Sequence, residues 1–253
     1  MIGVLRSEWI KLRTVRMNHV LTGIAVAFPV IVVVLTTVFV NTDDFSTRDL
    51  VGLVTGTSVI TGLLLGVIGA AGITSEFGFG TIRPTFAATP RRWMVIVAKA
   101  VVTLVMALVV EAIVVVVAYG AGAAILGGRD ATVDLSTAGA GALASLIGVV
   151  LFAAIVSLLG YGLGLLMRST PAAVSVLILW PLLVENILTL LLGRIGLDHP
   201  QKWMPYSAGF SLGYPDAGVD ADTLGRVMGG LYFFAVTVAI TAIGAVLVQR
   251  RDA

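Results

Sequence analysis

Residues 73–93 read ITSEFGFGTIRPTFAATPRRW. This is a polar, basic island between two long apolar runs, punctuated by Gly78, Gly80, Pro84 and Pro90. Arg83, Arg91 and Arg92 sit in it, and Glu76 is its only acid. Reversing the chain takes only a handful of residues. A stretch of this length is therefore expected to do more than turn, and its expected place is the cytosolic face, where it receives force or a signal from another protein.

Outward from this stretch, composition sets the class. Of 253 residues, 58% are hydrophobic and 12% charged, with a mean hydropathy of +1.05. A soluble domain carries roughly 25% charged residues. Half that share leaves too little polar surface to cover a globule. Several apolar runs reach the ~18–20 residues that cross a hydrocarbon core. The alternating short strands of a membrane barrel are absent from the sequence. The predicted fold is all-α: a polytopic membrane protein with six transmembrane helices in one domain, residues 1–253. With no cysteine, a disulfide or thiolate metal site within the chain is excluded.

The predicted spans are 19–40, 50–72, 94–122, 138–166, 172–192 and 226–248. Pro29 is expected to kink the first and Pro181 to break the fifth. Gly52 and Gly56, Gly62 and Gly66, and Gly160 and Gly164 have the four-residue spacing that lets helices approach closely. Before the first span, residues 1–18 place Ile2, Leu5, Trp9 and Leu12 on one helical face. Arg6, Lys11, Arg13 and Arg16 take the other positions. Such a helix lies in the headgroup plane; the plainer alternative is a basic flank that orients the first span. A cleaved signal peptide is not expected, because the apolar run behind it is too long and no small-residue cleavage site follows.

Loop charges set the orientation. Six spans put both termini on one side, together with Arg6, Lys11, Arg13, Arg16, Arg83, Arg91, Arg92, Lys99, Arg168, Arg250 and Arg251. The other side holds Arg48, Arg129, Arg194, Lys202 and Arg226, and most of the aspartates. Both termini and the loop at 74–93 are thus expected in the cytosol, with 193–225 as the main outer loop.

Some chemistry is missing. No G-x-x-x-x-G-K-[ST] phosphate loop occurs, so the chain does not bind ATP by that route. The two histidines, His19 and His199, fall on opposite predicted faces, and no metal cluster or Ser/His pair follows from them. Two carboxylates lie inside spans. Glu111 and Glu185 fall roughly 25 and 20 Å from the cytosolic boundary at ~1.5 Å per residue. Intramembrane acids are costly and face a cavity or a partner. Glu185 follows the Pro181 bend, beside Asn186, where the Leu177 carbonyl loses its donor. It either lines a polar pathway or binds a cationic group, or it makes a structural hydrogen bond or an ion pair, for example with Arg194. Glu111 either shares that pathway or reaches the outer interface. In the outer loop, Trp203, Tyr206, Phe210 and Tyr214 recur at three, four and four, as on one helical face. This helix either lies flat at the headgroups or re-enters the membrane.

The segment Glu76-Phe77-Gly78-Phe79-Gly80-Thr81-Ile82 resembles the E-x-x-x-G-T-[IL] pattern of ABC-2 type transporter permeases. The run Ala87-Ala88-Thr89-Pro90-Arg91-Arg92, the opening Ser7-Glu8-Trp9-Ile10-Lys11-Leu12-Arg13, the turn Arg168-Ser169-Thr170-Pro171 and the segment from Trp180 to Glu185 are similar to that family too. Gly78 and Phe79 depart from it, standing where polar or basic residues are usual, and Pro84 is less usual. The resemblance implies a coupling helix in the loop 74–93, docking on a separate ATPase subunit through Glu76, Phe77, Gly80, Thr81, Ile82, Arg83 and Phe86. It implies two permease subunits, alike or different, with two copies of the ATPase. ATP and magnesium would sit on the ATPase, no cofactor on this chain, and no nucleic acid is involved. The chain itself would not be an enzyme. The substrate would be amphiphilic, lipid-like or drug-like, passing between the second and fifth spans near Pro181, Glu185, Asn186 and Glu111. The N-terminal helix (Leu5, Trp9, Leu12) would rest on membrane lipid. The alternative is a proton-coupled secondary carrier using Glu111 and Glu185.

Overall fold

The computed structural model of the chain describes residues 2–41, 45–88, 91–129, 139–214 and 224–251. Most of them are helical, and no strand occurs among them. Six helical segments are long and apolar enough to cross a membrane, and together they make a helical multi-pass membrane protein.

The chain opens with α1 (Ile2–Thr14), breaks at Val15, and continues as α2 (Arg16–Phe39). Then come α3 (Thr47–Gly78), the short α4 (Ile82–Ala88), α5 (Arg92–Gly127) and α6 (Gly139–Met167). The fifth span is α7 (Thr170–Leu179), a π-helical turn (Trp180–Val184) and α8 (Glu185–Arg194). A short helix α9 (Pro205–Phe210) lies between two 3-10 turns, Pro200–Trp203 and Ser211–Gly213, and α10 (Arg226–Arg251) closes the chain.

The spans run longer than the hydropathy windows. The helix of the second span extends through the first six residues of the 73–93 island, and Glu76 is on its last turn. Backbone hydrogen bonds favour continuing the helix even after the apolar run has ended.

The centre of the bundle is the pair α3 and α6. At their crossing, a Cβ on Gly160 would come within 2.0 Å of the Gly66 carbonyl oxygen. Backbones this close need glycine. The Ser157 hydroxyl donates across the same contact to the Leu65 carbonyl (3.1 Å). Gly52 and Gly56 meet no neighbour, so their spacing packs nothing within this chain.

The fifth span breaks at Pro181 as predicted, while α2 runs through Pro29 as one helix; each proline leaves a repair. Pro29 lacks the N–H that would bond the Ala25 carbonyl; the Thr61 hydroxyl of α3 donates to it instead (3.2 Å). At Pro181 the helix takes a π turn, a common way to absorb such a break. The Asn186 side-chain amide donates to the carbonyls of Pro181 (3.3 Å) and Leu182 (2.9 Å).

One apolar cluster gathers Ile73, Ile82, Phe86, Val95, Tyr161 and Val248, with Val4 against it. Residues near both termini therefore share an end of the bundle with α4.

Candidate functional site

The end that carries α1 and α4 is built around four charges. Lys99 of α5 donates to Glu8 of α1 and to Glu76 of α3, at 3.0 Å for Glu76. Lys11 bonds the same two acids, each at 2.9 Å. Glu8, Glu76 and Lys99 are buried and Lys11 is partly open. Burial pulls the Lys11 ammonium down, but its hydrogen bonds and attraction to Glu8 and Glu76 outweigh this and hold it above the ordinary lysine value. Two acids and two lysines cancel, which is what lets charge persist here. The Tyr161 hydroxyl donates to the Ile96 carbonyl beside the cluster (2.9 Å).

This geometry bears on two expectations. Glu76 points into the bundle, and Oε1, the oxygen both lysines take, is occupied within the chain; it does not face outward for a partner. The inward face of α1 contains Glu8, while Trp9 stays partly exposed; Leu5 and Leu12 are half-buried. Lys99 meets Glu8 on that inward face.

Beyond Glu76, α3 ends at Gly78 and the chain turns at Gly80, whose φ of +68° favours glycine. Pro84 sits in the first turn of α4, where a missing N–H costs nothing. Ile82 and Phe86, one turn apart, are buried against the body. They anchor α4 to its own chain. The Arg92 guanidinium stacks over Phe86 (5.6 Å), and Arg168 over Phe77 (5.0 Å). What α4 and its turn present outward is Phe79, 84% exposed, with Thr81 and Pro84. The side chain of Arg83, and Thr89 and Pro90 at the end of the motif, lie outside the described residues.

At the opposite end, Glu185 has a structural task. Its carboxylate accepts the backbone N–H of Tyr206 (2.7 Å) and Ser207 (2.9 Å), the Ser207 hydroxyl (2.8 Å) and the Trp180 indole N–H (3.2 Å). Tyr206 and Ser207 are the second and third residues of α9, so Glu185 caps that helix from another segment. These bonds fit the structural-hydrogen-bond reading, and Arg194 is not among the partners. Asn186 is spent on the bend.

The aromatic residues of the outer loop split. Tyr206 is buried, and its ring packs edge-on to Phe152 (5.0 Å) and Phe233 (5.7 Å). Phe210 also meets Phe152 (5.5 Å). Trp203 and Tyr214 remain half exposed. The face thus turns partly into the bundle and does not form a single outward platform. A Cβ on Gly148 of α6 would fall 1.8 Å from the Leu212 carbonyl oxygen, so this segment lies directly on α6. The acidic run at Asp216, Asp220 and Asp222 lies outside the described residues.

Glu111 does not reach an interface. It is 0% exposed on the inner face of α5, and neither oxygen has a hydrogen-bond partner. The Ser58 hydroxyl beside it donates to the Val54 carbonyl (3.0 Å). Among the described residues, no group of three or more His, Asp or Glu is placed to hold a metal ion.

Sequence reasoning missed Lys99 and Glu8 as members of a site. The available signal was a lysine and a glutamate inside otherwise apolar faces. No family model and no curated protein matches this chain. The class defined by fold and composition is a helical multi-pass membrane protein with a charge-latched helix at one end.

Proposed function

We propose that this chain is the membrane-spanning permease subunit of an ATP-binding cassette exporter, working in the plasma membrane with a separate ATPase subunit. The observation that carries the reading is α4. It is a short helix set apart from the spans, at the end shared by both termini, beside a helix α1 that is bonded to two spans through Glu8 and Lys11. A push on this end has a rigid path into α3 and α5. The sequence resemblance supplies the partner: an ATPase that binds ATP and magnesium and engages two permease copies, alike or different. Because Ile82, Phe86 and Glu76 face inward, the contact falls to Phe79, Thr81 and Pro84, with Gly80 shaping the turn.

In this reading both termini are cytosolic, α1 lies at the membrane interface, and α9 is a re-entrant element at the outer side. The substrate is an amphiphilic, lipid-like or drug-like molecule. A cleft of about 250 Å³ between α3, the π turn and α9, lined by Val59, Leu63, Pro181, Leu182, Ser207 and Tyr214, opens where such a molecule would leave.

The test is purification of the tagged chain in mild detergent, with ATPase activity assayed and co-purifying proteins identified. The expected result is a stoichiometric partner carrying a phosphate loop, lost on Phe79→Asp but retained on Trp203→Asp. A proton-coupled carrier is the second reading, and the bare buried carboxyl of Glu111 favours it. That reading predicts no ATPase partner and loss of transport on Glu111→Gln.

A further inference from the structure

The elbow between α1 and α2 leaves a cleft of about 520 Å³ that packing within the chain does not fill. Three helices bound it. Trp9 and Arg13 of α1 and His19 of α2 line the end of it nearest the elbow. Gly23 and Val26 of α2 face Met106 and Val110 of α5 along its walls. From His19 to Ala27, at ~1.5 Å per residue, the cleft runs roughly 12 Å down α2. A Cβ on Gly23 would meet no atom within 4 Å.

Charge tells what this end would take. Glu8 is the only acid among residues 1–18. The latch consumes it: Lys11 and Lys99 both bond it. Arg6, Arg13 and Arg16 are exposed, and no carboxylate among the described residues pairs with Arg13. The elbow is held independently of any ligand. Asn18 donates to the Leu12 carbonyl (3.1 Å), and His19 Nε2 donates to the Arg13 carbonyl (2.7 Å). Arg13 is thus a guanidinium with no carboxylate partner among the described residues, at a hydrogen-bonded corner that borders an apolar slot. An aqueous anion has no use for the slot, and a neutral lipid has none for the arginine.

We propose that this cleft binds one anionic phospholipid, with its phosphate on Arg13 and one acyl chain between α2 and α5 beside Gly23. The lipid fills the gap under α1 and fixes the depth at which that helix lies. The ion latch and the lipid site act together, since neutralising Glu8 is what leaves the elbow end cationic.

The test uses the full chain in phosphatidylcholine vesicles containing chain-brominated phosphatidylglycerol, read as quenching of Trp9 fluorescence. The Trp9 signal is the difference from a Trp9→Phe variant. Brominated phosphatidylglycerol should quench Trp9 more than brominated phosphatidylcholine at the same mole fraction. Arg13→Ala should lower that preference about fivefold, the contribution of one basic residue at an anionic surface. Gly23→Leu, which places a side chain in the slot, should remove it with the charge intact. Should Gly23→Leu lose its helical circular dichroism, the exposed Arg13→Ala decides alone. Equal quenching by the two lipids, or a preference left unchanged by Arg13→Ala, overturns the site. Displacement of the brominated lipid by inorganic phosphate also overturns it, because the anion alone would then be the ligand.

Discussion

At the α1–α4 end, Glu8 and Glu76 are buried against Lys11 and Lys99; at the opposite end, Glu185 is buried against two backbone N–H groups, a hydroxyl and an indole. The first arrangement joins three helices that are far apart in sequence. The second holds one short helix against the span that precedes it. A carboxylate met by lysines depends on both charges being present, so it couples the elements that supply them. A carboxylate met by amides depends on backbone geometry, so it fixes a local shape. On this contrast, the end that would receive force is ionic, and the end that would shape the exit is capped and aromatic.

The contrast breaks most visibly at Lys99. Lys99→Met leaves two buried acids with a single, half-open lysine. The expected loss is about 3–5 kcal/mol, the cost of orphaning a buried charge, read as a large fall in the thermal midpoint in detergent. Adding Glu76→Gln should recover part of it, because the orphaned charge goes too. If Lys99→Met unfolds like wild type, the cluster does not hold the end together.

Glu185→Ala is next. It strips the acceptor from two N–H groups of α9 and from the Ser207 hydroxyl, at about 1–3 kcal/mol. The damage should stay local: faster hydrogen exchange at α9, with the α1 end unchanged. Spread to α1 would dissolve the contrast between the ends.

How much of this was readable in advance follows from where the partners lie. Apolar runs of span length made the six helices plain, and Pro181 announced the break in the fifth. The 3-4-4 aromatic spacing predicts one helical face at 203–214, but the α-helix spans only Pro205–Phe210 and leaves Trp203 and Tyr214 outside it. The spacing could not say which way that face turns, because an aromatic stripe suits a protein core and a lipid boundary equally. Ile82 and Phe86 carry the same ambiguity: the spacing put them on one face, and packing turned that face inward. The motif resemblance implies an ATPase contact for Glu76, and nothing in the local sequence points to its lysine partners. Its lysines stand 65 and 23 residues away, and pairings of that range leave no periodic trace. Glu185 likewise finds its donors 21 and 22 residues downstream.

Glu111 sharpens the comparison from the middle of the bundle, having neither lysine nor amide. With no ion pair to lose, Glu111→Gln should change stability by less than about 1 kcal/mol. The exporter reading also expects assembly with the ATPase to be unchanged; abolished transport without any ATPase would favour the proton-coupled carrier.

The smallest effect belongs to Lys11, whose partly open side chain is screened by water. Lys11→Ala should cost at most about 0.5–1 kcal/mol. Its pKa is raised by folding, so its contribution is fully present below the unfolded lysine pKa. It is lost as pH rises through the higher folded value. A pH titration of the thermal midpoint should therefore show the gap between wild type and Lys11→Ala constant at neutral pH and closing only in strong alkali.

The most direct test of the central claim uses the absence of cysteine from the chain. Single cysteines replace Phe79 at the α4 end and Trp203 at the opposite end, and each carries a photo-cross-linker in native membranes. The account predicts an adduct between Phe79→Cys and a protein bearing a phosphate loop, and no such adduct from Trp203→Cys. A folded, membrane-inserted Phe79→Cys variant that captures no ATPase, or equal capture from both ends, would contradict it.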